Sequence, residues 1–313
     1  MPLSVPVILI IFNRPDLTKI VFDAIAQVRP TKLLVVADGP RFPEEAEKCK
    51  EARSVIRYVD WDCEVLTDFA ESNLGCRRRV VSGLNWAFSQ VEEAIILEDD
   101  CLPEPSFFRY CEELLALFRE DSRIMEIAGE NLAPRPHLNT SYLFSRLFPC
   151  WGWATWRRAW QLYDDEMKQW PEYKRTADLK YFGRHRRNVY HDFEGYYLNR
   201  ESWRVNSWAA RWAFSCTVRQ ALSVIPRTRL IKNLGFGSDA TNTTTGRPEI
   251  VSIPVQGLEF PLRGPHEMKP DPAFDQEFLD ILYGKPENIW KARIRGRTRW
   301  LWQYVRHRLH ALL

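Results

Sequence analysis

Strand-like and helix-like segments alternate through the first 120 residues, and this order limits the fold more than any other feature. Each strand-like segment is a short apolar run that ends at polar residues, glycine or proline, which is typical of a buried strand. The runs cover residues 5–12, 33–37, 63–66 and 95–97, and helical patterns begin near 15, 44, 76 and 106. Strands joined by helical crossovers predict an α/β fold with a mostly parallel sheet and helices on both faces.

Polar residues follow every strand of this predicted sheet. In strand order they are Asn13 and Arg14, then Asp38, then Asn73, then Glu98, Asp99 and Asp100. Because ligands of open α/β sheets bind beyond the carboxyl ends of the strands, we expect these residues on one rim. Arg14 can bind phosphate as a fork and Asp38 can accept a hydrogen bond from a base or ribose, so the rim suits a nucleoside diphosphate. Taken singly, Arg14 also fits a solvated loop and Asp38 a simple turn.

Three adjacent carboxylates end the fourth strand, and they repel one another unless a positive charge shares the site. A hard divalent cation with oxygen ligands is the simplest partner, because it also leaves coordination positions open for phosphate. The triplet therefore predicts metal-assisted phosphate chemistry. The alternative is a solvated acidic turn, in which Pro103 and Pro105 are ordinary loop residues.

No glycine-rich phosphate loop and no dinucleotide-binding glycine pattern follows any of these strands. The usual nucleoside triphosphatase and dinucleotide-binding folds are thereby excluded. The predicted site must hold phosphate through a metal ion and arginine instead.

Two sets of closely spaced tryptophans lie in the second half of the chain, at positions 151, 153, 156 and 160 and at positions 203, 208 and 212. Aromatic faces with polar edges can stack on sugar rings, but buried aromatics more often belong to a core. Trp156 and Trp160 are four residues apart, and we expect both to pack inward. A minority of the seven should meet a ligand.

Composition bounds the remaining classes. The 313 residues are 45% hydrophobic, and the seven cysteines form no Cys-x-x-Cys pair, so we expect a globular protein of a reducing compartment, the cytoplasm. Eight Lys or Arg residues between 285 and 313 face one acid, Glu287. This concentration argues against a nucleic-acid binder and predicts a basic amphipathic helix over 286–313, which contacts either an anionic membrane surface or the body of the protein.

The ordered motifs resemble nucleotide-sugar glycosyltransferases of the GT-A fold. The resemblance covers about residues 3–245, and within that fold it is to the bacterial hemolytic-protein-like glycosyltransferases and, more distantly, to N-acetylglucosaminyltransferase I. The motifs are Asn13-Arg14-Pro15, Asp38-Gly39-Pro40, Asn73-Leu74-Gly75, Glu98-Asp99-Asp100 and Trp151-Gly152-Trp153-Ala154-Thr155-Trp156.

The resemblance implies a role for each rim residue. Arg14 would bind the donor pyrophosphate, Asp38 the uracil of a UDP-sugar, and Arg79 another part of the donor. Glu98 and Asp99 would contact ribose and order the loop. Asp100 would be the direct ligand of Mn²⁺ or Mg²⁺, which would neutralise the leaving nucleoside diphosphate during transfer to a glycan or lipid-linked envelope acceptor.

Two positions depart from the family pattern. Relatives place the acid that serves as catalytic base at position 209, where this chain has Ala209, so Glu201 or Asp239 becomes the candidate base. Relatives place a histidine at position 242, where Asn242 offers a weaker oxygen ligand for the metal.

These departures leave three functions open. The first is a metal-dependent, inverting glycosyltransferase near the inner membrane face. The second is a sugar-phosphate nucleotidyltransferase, and the third is a catalytically silent protein that binds carbohydrate or nucleotide sugar. We expect a donor-binding half over 1–120, an acceptor-binding half over 121–265 and a basic extension over 266–313.

Overall fold

The computed structural model describes residues 2–176, 179–201, 207–235, 250 and 252–285. Within these residues a large sheet has eight strands in the order β3-β2-β1-β4-β8-β6-β9-β7, and β5 and β10 form a separate antiparallel pair. The strands are β1 Val7–Ile11, β2 Lys32–Ala37, β3 Glu64–Phe69, β4 Glu93–Glu98, β5 Cys101–Pro103, β6 Ile124–Ala128, β7 Tyr142–Ser145, β8 Trp153–Trp156, β9 Leu222–Pro226 and β10 Ile231–Asn233.

Helices flank the large sheet. The α-helices are α1 Pro15–Val28, α2 Ala46–Arg53, α3 Cys76–Gln90, α4 Ser106–Phe118, α5 Arg157–Trp160, α6 Trp170–Thr176, α7 Arg186–Leu198, α8 Trp208–Thr217 and α9 Pro272–Tyr283. Short 3-10 segments cover Pro43–Glu45, Ser54–Tyr58 and Leu179–His185. None of the helices in the described ranges is long and apolar enough to cross a bilayer.

The four strands of the amino-terminal half run parallel, with β1 between β2 and β4. Strand β8 then inserts antiparallel between β4 and β6, and β7 closes the far edge antiparallel to β9. The predicted α/β class with a mostly parallel sheet is confirmed. Because β1 to β4 share one direction, the loops that follow them open at the same edge of the sheet.

Strand β1 is apolar at every position because both of its faces are covered, as expected for a central parallel strand. Leu9 belongs to the core layer that contains Phe22 of α1 and Leu114 of α4. Ile10 belongs to the opposite layer, with Leu84 of α3 and Trp212 of α8. Successive residues thus alternate between two cores, and their burial holds the strand ends in a fixed position.

The helical pattern that begins near residue 44 is interrupted in the structure. Its α-helical part is limited to α2, and a 3-10 segment lies on each side. At the carboxyl end Ser54 donates its hydroxyl hydrogen to the carbonyl of Glu51 at 2.6 Å. Serine side chains compete with the helical backbone in this way, so the ending is consistent with the residue type.

The tryptophans of the second half mostly form core. Trp156 and Trp160 are each 2% exposed, which confirms that they pack inward. The Trp153 ring lies 5.7 Å from Trp208 and 5.4 Å from Trp212, centroid to centroid. Trp203 lies outside the described residues.

A carboxyl group is buried beside this aromatic cluster. Glu126 of β6 accepts a hydrogen bond from Trp212 Nε1 at 2.6 Å through Oε2, and its Oε1 has no hydrogen-bond partner among the described residues. Burial raises the pKa of Glu126 well above its usual range, although the Trp212 hydrogen bond opposes the shift. Burial therefore favours the protonated form of Glu126.

Replacement of Glu126 tests this protonation. A carboxyl whose pKa is raised on folding lowers the free energy of unfolding as the pH rises. The reason is that the unfolded chain releases the proton above about pH 4.5, while the folded chain retains it. Glu126→Gln keeps an oxygen for Trp212 and has no proton to release. We therefore expect the thermal midpoint of this variant to exceed that of the wild type at pH 8, and the difference to be smaller at pH 5. The same gain at both pH values would contradict a protonated Glu126. Glu47→Gln, at an exposed site, is the control.

Candidate nucleotide-sugar site

A cleft of about 1160 Å³ opens at the carboxyl ends of β1, β2 and β4. The first turns of α3 and α8 and one face of α7 complete its walls. A cleft of this volume exceeds the usual range for a drug-sized ligand, and parallel-sheet enzymes place their ligands at this edge. The position of the cleft therefore matches the predicted rim.

The structure brings most of the candidate site residues together in this cleft. Its lining includes Arg14, Asp38, Asn73, Arg79, Glu98, Asp99, Asp100 and Glu201. Asn13 is not in the lining and donates its amide hydrogen to Glu45 at 2.9 Å. Asp239, Asn242 and the basic segment 286–313 lie outside the described residues, so their proposed roles stay predictions.

Arg14 provides the positive charge that the acidic triplet was expected to need. Its guanidinium bonds Asp99 through Nε and Nη2, and Nη1 lies 3.0 Å from Asp100 Oδ2. Burial disfavours the charged form, but the fields of Asp99 and Asp100 outweigh it and raise the pKa of Arg14. The loop after β1 and the end of β4 are thus joined by a forked ion pair.

The acids share too little positive charge for all of them to ionise easily. Burial, together with the charges of Asp100 and Asp99, raises the pKa of Glu98 to about 8. Burial also raises the pKa of Asp99 to about 6, although Arg14 acts in the opposite direction. A further cation entering the cleft would favour the ionised forms.

The donor set fits a metal ion that is shared with a ligand. The described ranges contain no group of three or more His, Cys, Asp or Glu side chains arranged to hold a metal ion. Asp100 is 17% exposed and its carboxylate faces the cleft. Mg²⁺ is usually bound by one or two carboxylates plus substrate phosphates. Asp100 alone therefore suits a metal ion that a diphosphate brings with it.

Strand β10 crosses the acidic loop, which the sequence patterns did not predict. Asn233 of β10 pairs with Cys101 of β5, and Leu234 N donates to the carbonyl of Asp100 at 2.7 Å. A Cβ on Gly235 would overlap Asp100 Oδ2, so glycine permits this close approach. The pairing places Asn233 and Gly235 in the cleft wall beside Asp100.

Asp38 acts as a clip between two loops. It is 5% exposed, and its two oxygens accept hydrogen bonds from the backbone of Gly39, Leu74 and Gly75 and from Asn73 Nδ2, at 2.8–3.0 Å. A carboxylate has about four acceptor positions, and all four are used. A base or ribose that bonded Asp38 would have to displace one of these donors.

Loss of the Asp38 clip should destabilise the fold. Asp38→Ala leaves the Leu74 and Gly75 amides without their acceptor, and we expect a loss of about 2–4 kcal/mol in the free energy of unfolding. Urea denaturation measures it. Asp23→Ala, which removes an exposed pair with Lys19 on α1, should change stability by less than about 0.5 kcal/mol. Equal small losses would show that the Asp38 bonds do not hold the loops.

Arg79 lies in the cleft wall and is tied to the end of β3. It is 4% exposed, and its Nη2 bonds both the carbonyl and the side chain of Asp68, the latter at 2.8 Å. Its Nε has no hydrogen-bond partner among the described residues. The donor contact that the resemblance implies for Arg79 stays a prediction.

Glu201 is a solvent-exposed member of the lining. Its side chain is 87% exposed, and Arg200 lies 3.9 Å away. Such a carboxylate is free to approach an acceptor hydroxyl, as a general base must. Ala209 lies in the cleft as well, so the wall has a methyl group at the position where the resemblance would place the acid.

Sequence reasoning missed the contribution of α7. His191 and Tyr196 on this helix line the cleft together with Asn199, which directly follows it, and no motif marks them. Of the described tryptophans, Trp151 and Trp208 also reach the lining. This wall combines aromatic and polar groups, which suits a sugar-containing ligand.

No protein-family model and no curated protein sequence matches this chain. Among solved structures it is similar to 4-diphosphocytidyl-2C-methyl-D-erythritol synthase from Anaerococcus prevotii, with 9% identity, a TM-score of 0.36, and 80% of this chain and 96% of that one covered. It is similar to UDP-glucose pyrophosphorylase complexed with UDP-glucose, with 8% identity and a TM-score of 0.32. This match covers 71% of this chain and 90% of that one. It is also similar to mannose-1-phosphate geranyltransferase from Thermus thermophilus, with 15% identity and a TM-score of 0.27. This match covers 71% of this chain and 73% of that one.

These similarities do not support the expected glycosyltransferase groups. None of the three names is that of a hemolytic-protein-like glycosyltransferase or of N-acetylglucosaminyltransferase I. All three TM-scores are below 0.5, so the assignment of function depends on the geometry of the cleft.

Proposed function

We propose that the cleft binds a nucleoside-diphosphate sugar together with Mn²⁺ or Mg²⁺, and that the protein is a glycosyltransferase. The observation that carries this proposal is the forked contact of Arg14 with Asp99 and Asp100 at the carboxyl ends of adjacent parallel strands. A guanidinium suits phosphate oxygens, and a carboxylate beside it suits a divalent cation.

The residues of the chain divide the work at the diphosphate. Arg14 Nη1, which contacts Asp100 Oδ2, can donate to a phosphate oxygen instead. The Asp100 oxygen is then free for the metal ion. Bound in this way, the metal ion would act as a Lewis acid that stabilises charge on the leaving diphosphate. Asp99 keeps the rest of the Arg14 guanidinium in place throughout.

The acceptor is proposed to lie against α7 and the start of α8. A glycan or lipid-linked sugar could place one ring against Tyr196, whose side chain is partly exposed in the cleft wall. Glu201, on the same side, is the described candidate for the base that removes the acceptor proton, and Asp239 remains the other. If the basic segment 286–313 contacts an anionic membrane, a lipid-linked acceptor in that membrane would lie near the cleft.

A sugar-phosphate nucleotidyltransferase is the second candidate, favoured by the name of the UDP-glucose pyrophosphorylase. Against it stands the loop Phe12-Asn13-Arg14-Pro15, which contains no glycine to wrap a triphosphate. Product analysis separates the two activities. A glycosyltransferase releases UDP from a UDP-sugar without pyrophosphate, whereas a nucleotidyltransferase forms UTP and sugar 1-phosphate when pyrophosphate is added.

Thermal unfolding with ligands tests the proposed site. We expect UDP with Mn²⁺ to stabilise the wild type by about 2.7 kcal/mol at a hundredfold excess over the dissociation constant. Asp100→Ala should remove the Mn²⁺-dependent part of this shift and retain a part that needs no metal, because Arg14 is still present. Asp23→Ala should behave as the wild type does.

Three outcomes decide between the hypotheses. The absence of any Mn²⁺-dependent shift with uridine, guanosine or thymidine diphosphates would refute the transferase proposal. A shift without turnover of any nucleotide sugar would favour the silent binding protein. A full Mn²⁺-dependent shift in Asp100→Ala would reject Asp100 as the metal ligand.

A further inference from the structure

Arg41 lies in the cleft on the side away from the acidic triplet. It belongs to the loop after β2, and Phe12, at the end of β1, lines the cleft beside it. Because β2 and β4 lie on opposite sides of β1, the Arg41 loop and the Asp100 loop flank Arg14. A diphosphate at Arg14 and Asp100 therefore leaves the Arg41 side for another part of the ligand.

A buried carboxylate holds Arg41 in one orientation. Glu45 is 6% exposed and accepts hydrogen bonds from Arg41 Nε at 2.9 Å, from Arg41 Nη2 and from the Arg41 backbone amide at 3.0 Å. Asn13 Nδ2 bonds the same carboxylate at 2.9 Å. The guanidinium plane is thus fixed before any ligand arrives, which lowers the entropy lost on binding.

The fixed guanidinium retains capacity for a ligand. The Arg41 side chain is 49% exposed, and its Nη1 has no hydrogen-bond partner among the described residues. The guanidinium carbon lies 5.4 Å from the centre of the Phe12 ring and 5.5 Å from that of Phe42, whose ring is exposed. Arginine planes and aromatic rings both stack on nucleobases, and a free N–H beside them can donate to a base carbonyl.

Neighbouring groups supply an acceptor that Asp38 cannot. Both amide hydrogens of Asn73 are donated, to Asp38 Oδ2 at 3.0 Å and to the carbonyl of Gly39 at 2.9 Å. Since both partners are acceptors, the amide orientation is determined and Asn73 Oδ1 is left to accept. The clip formed by Asp38 therefore positions Asn73 in the cleft wall.

We infer that Arg41, oriented by Glu45, is the residue that stacks on the nucleobase of the bound nucleotide, with Asn73 as a hydrogen-bond acceptor beside it. This assignment rests on the proposed function and deepens it, because it moves base recognition from Asp38 to Arg41. Glu45 is a positioning residue in this arrangement, because it fixes the plane of the Arg41 guanidinium.

Titration calorimetry with two probes isolates the base. Uridine diphosphate and inorganic pyrophosphate, each with Mn²⁺, share the diphosphate and differ in the nucleoside. We expect the wild type to prefer UDP, and Arg41→Ala to lose about tenfold in UDP affinity while pyrophosphate affinity stays within about twofold. The ratio is taken within each variant, so a general loss of stability does not imitate the effect.

Arg109→Ala is the matched control. Arg109 forms the same type of pair, with Glu113 four residues on, and lies 4.1 Å from the Phe260 ring centre, but it is outside the cleft lining. Its UDP preference should equal that of the wild type. Glu45→Gln should lose most of the preference although Arg41 is present, which a purely structural role would not predict.

The outcomes separate the two levels of inference. A wild type that binds neither probe refutes the proposed function and this assignment with it. A wild type that prefers UDP, together with an Arg41→Ala variant that keeps the full preference, overturns the assignment and leaves the proposed function standing. Loss of the preference in Tyr196→Ala instead of Arg41→Ala would place the base against α7 and would also overturn it.

Discussion

The ion pairs of Arg14 with Asp99 and Asp100 are the interaction on which the cleft depends. They connect the loop after β1 to the end of β4, and the Asp99 amide also donates to the carbonyl of Ile10 at 3.0 Å. Like charges that close together are stable only with a shared cation, and Arg14 supplies it within the protein. The same guanidinium is suited to phosphate, so the group that stabilises the cleft is also the group that would bind the ligand.

Much of the fold could be predicted because its central strands are buried on both faces. An apolar run such as β1 has few alternatives to a parallel strand, and parallel strands bring their carboxyl ends to one edge. The antiparallel insertion of β8 was not predictable, because its Trp-rich segment indicated packing in the core but neither a strand nor its direction. The β5–β10 pair was not predictable either, since its partners are more than 100 residues apart.

The location of the candidate site could be predicted from the sequence more fully than the contacts of its residues. Residue types at strand ends located Arg14, Asp38 and Asp100, but spacing cannot show which acceptors the loops use. Asp38 is saturated by loop amides, and Arg41 becomes a candidate only through its contact with buried Glu45. Such assignments depend on pairwise geometry between loops, for which a single sequence has no periodic signal.

We propose that a diphosphate recruits the metal ion, because Asp100 is paired with Arg14 and the described residues offer no larger ligand set. The Mn²⁺ affinity of the wild type, measured by calorimetry with and without saturating UDP, tests this recruitment. We expect the Mn²⁺ affinity to be about tenfold or more higher with UDP, and by linkage the UDP affinity to rise equally with Mn²⁺. Equally tight Mn²⁺ binding without nucleotide, or no Mn²⁺ binding with it, would show that the diphosphate does not recruit the metal ion.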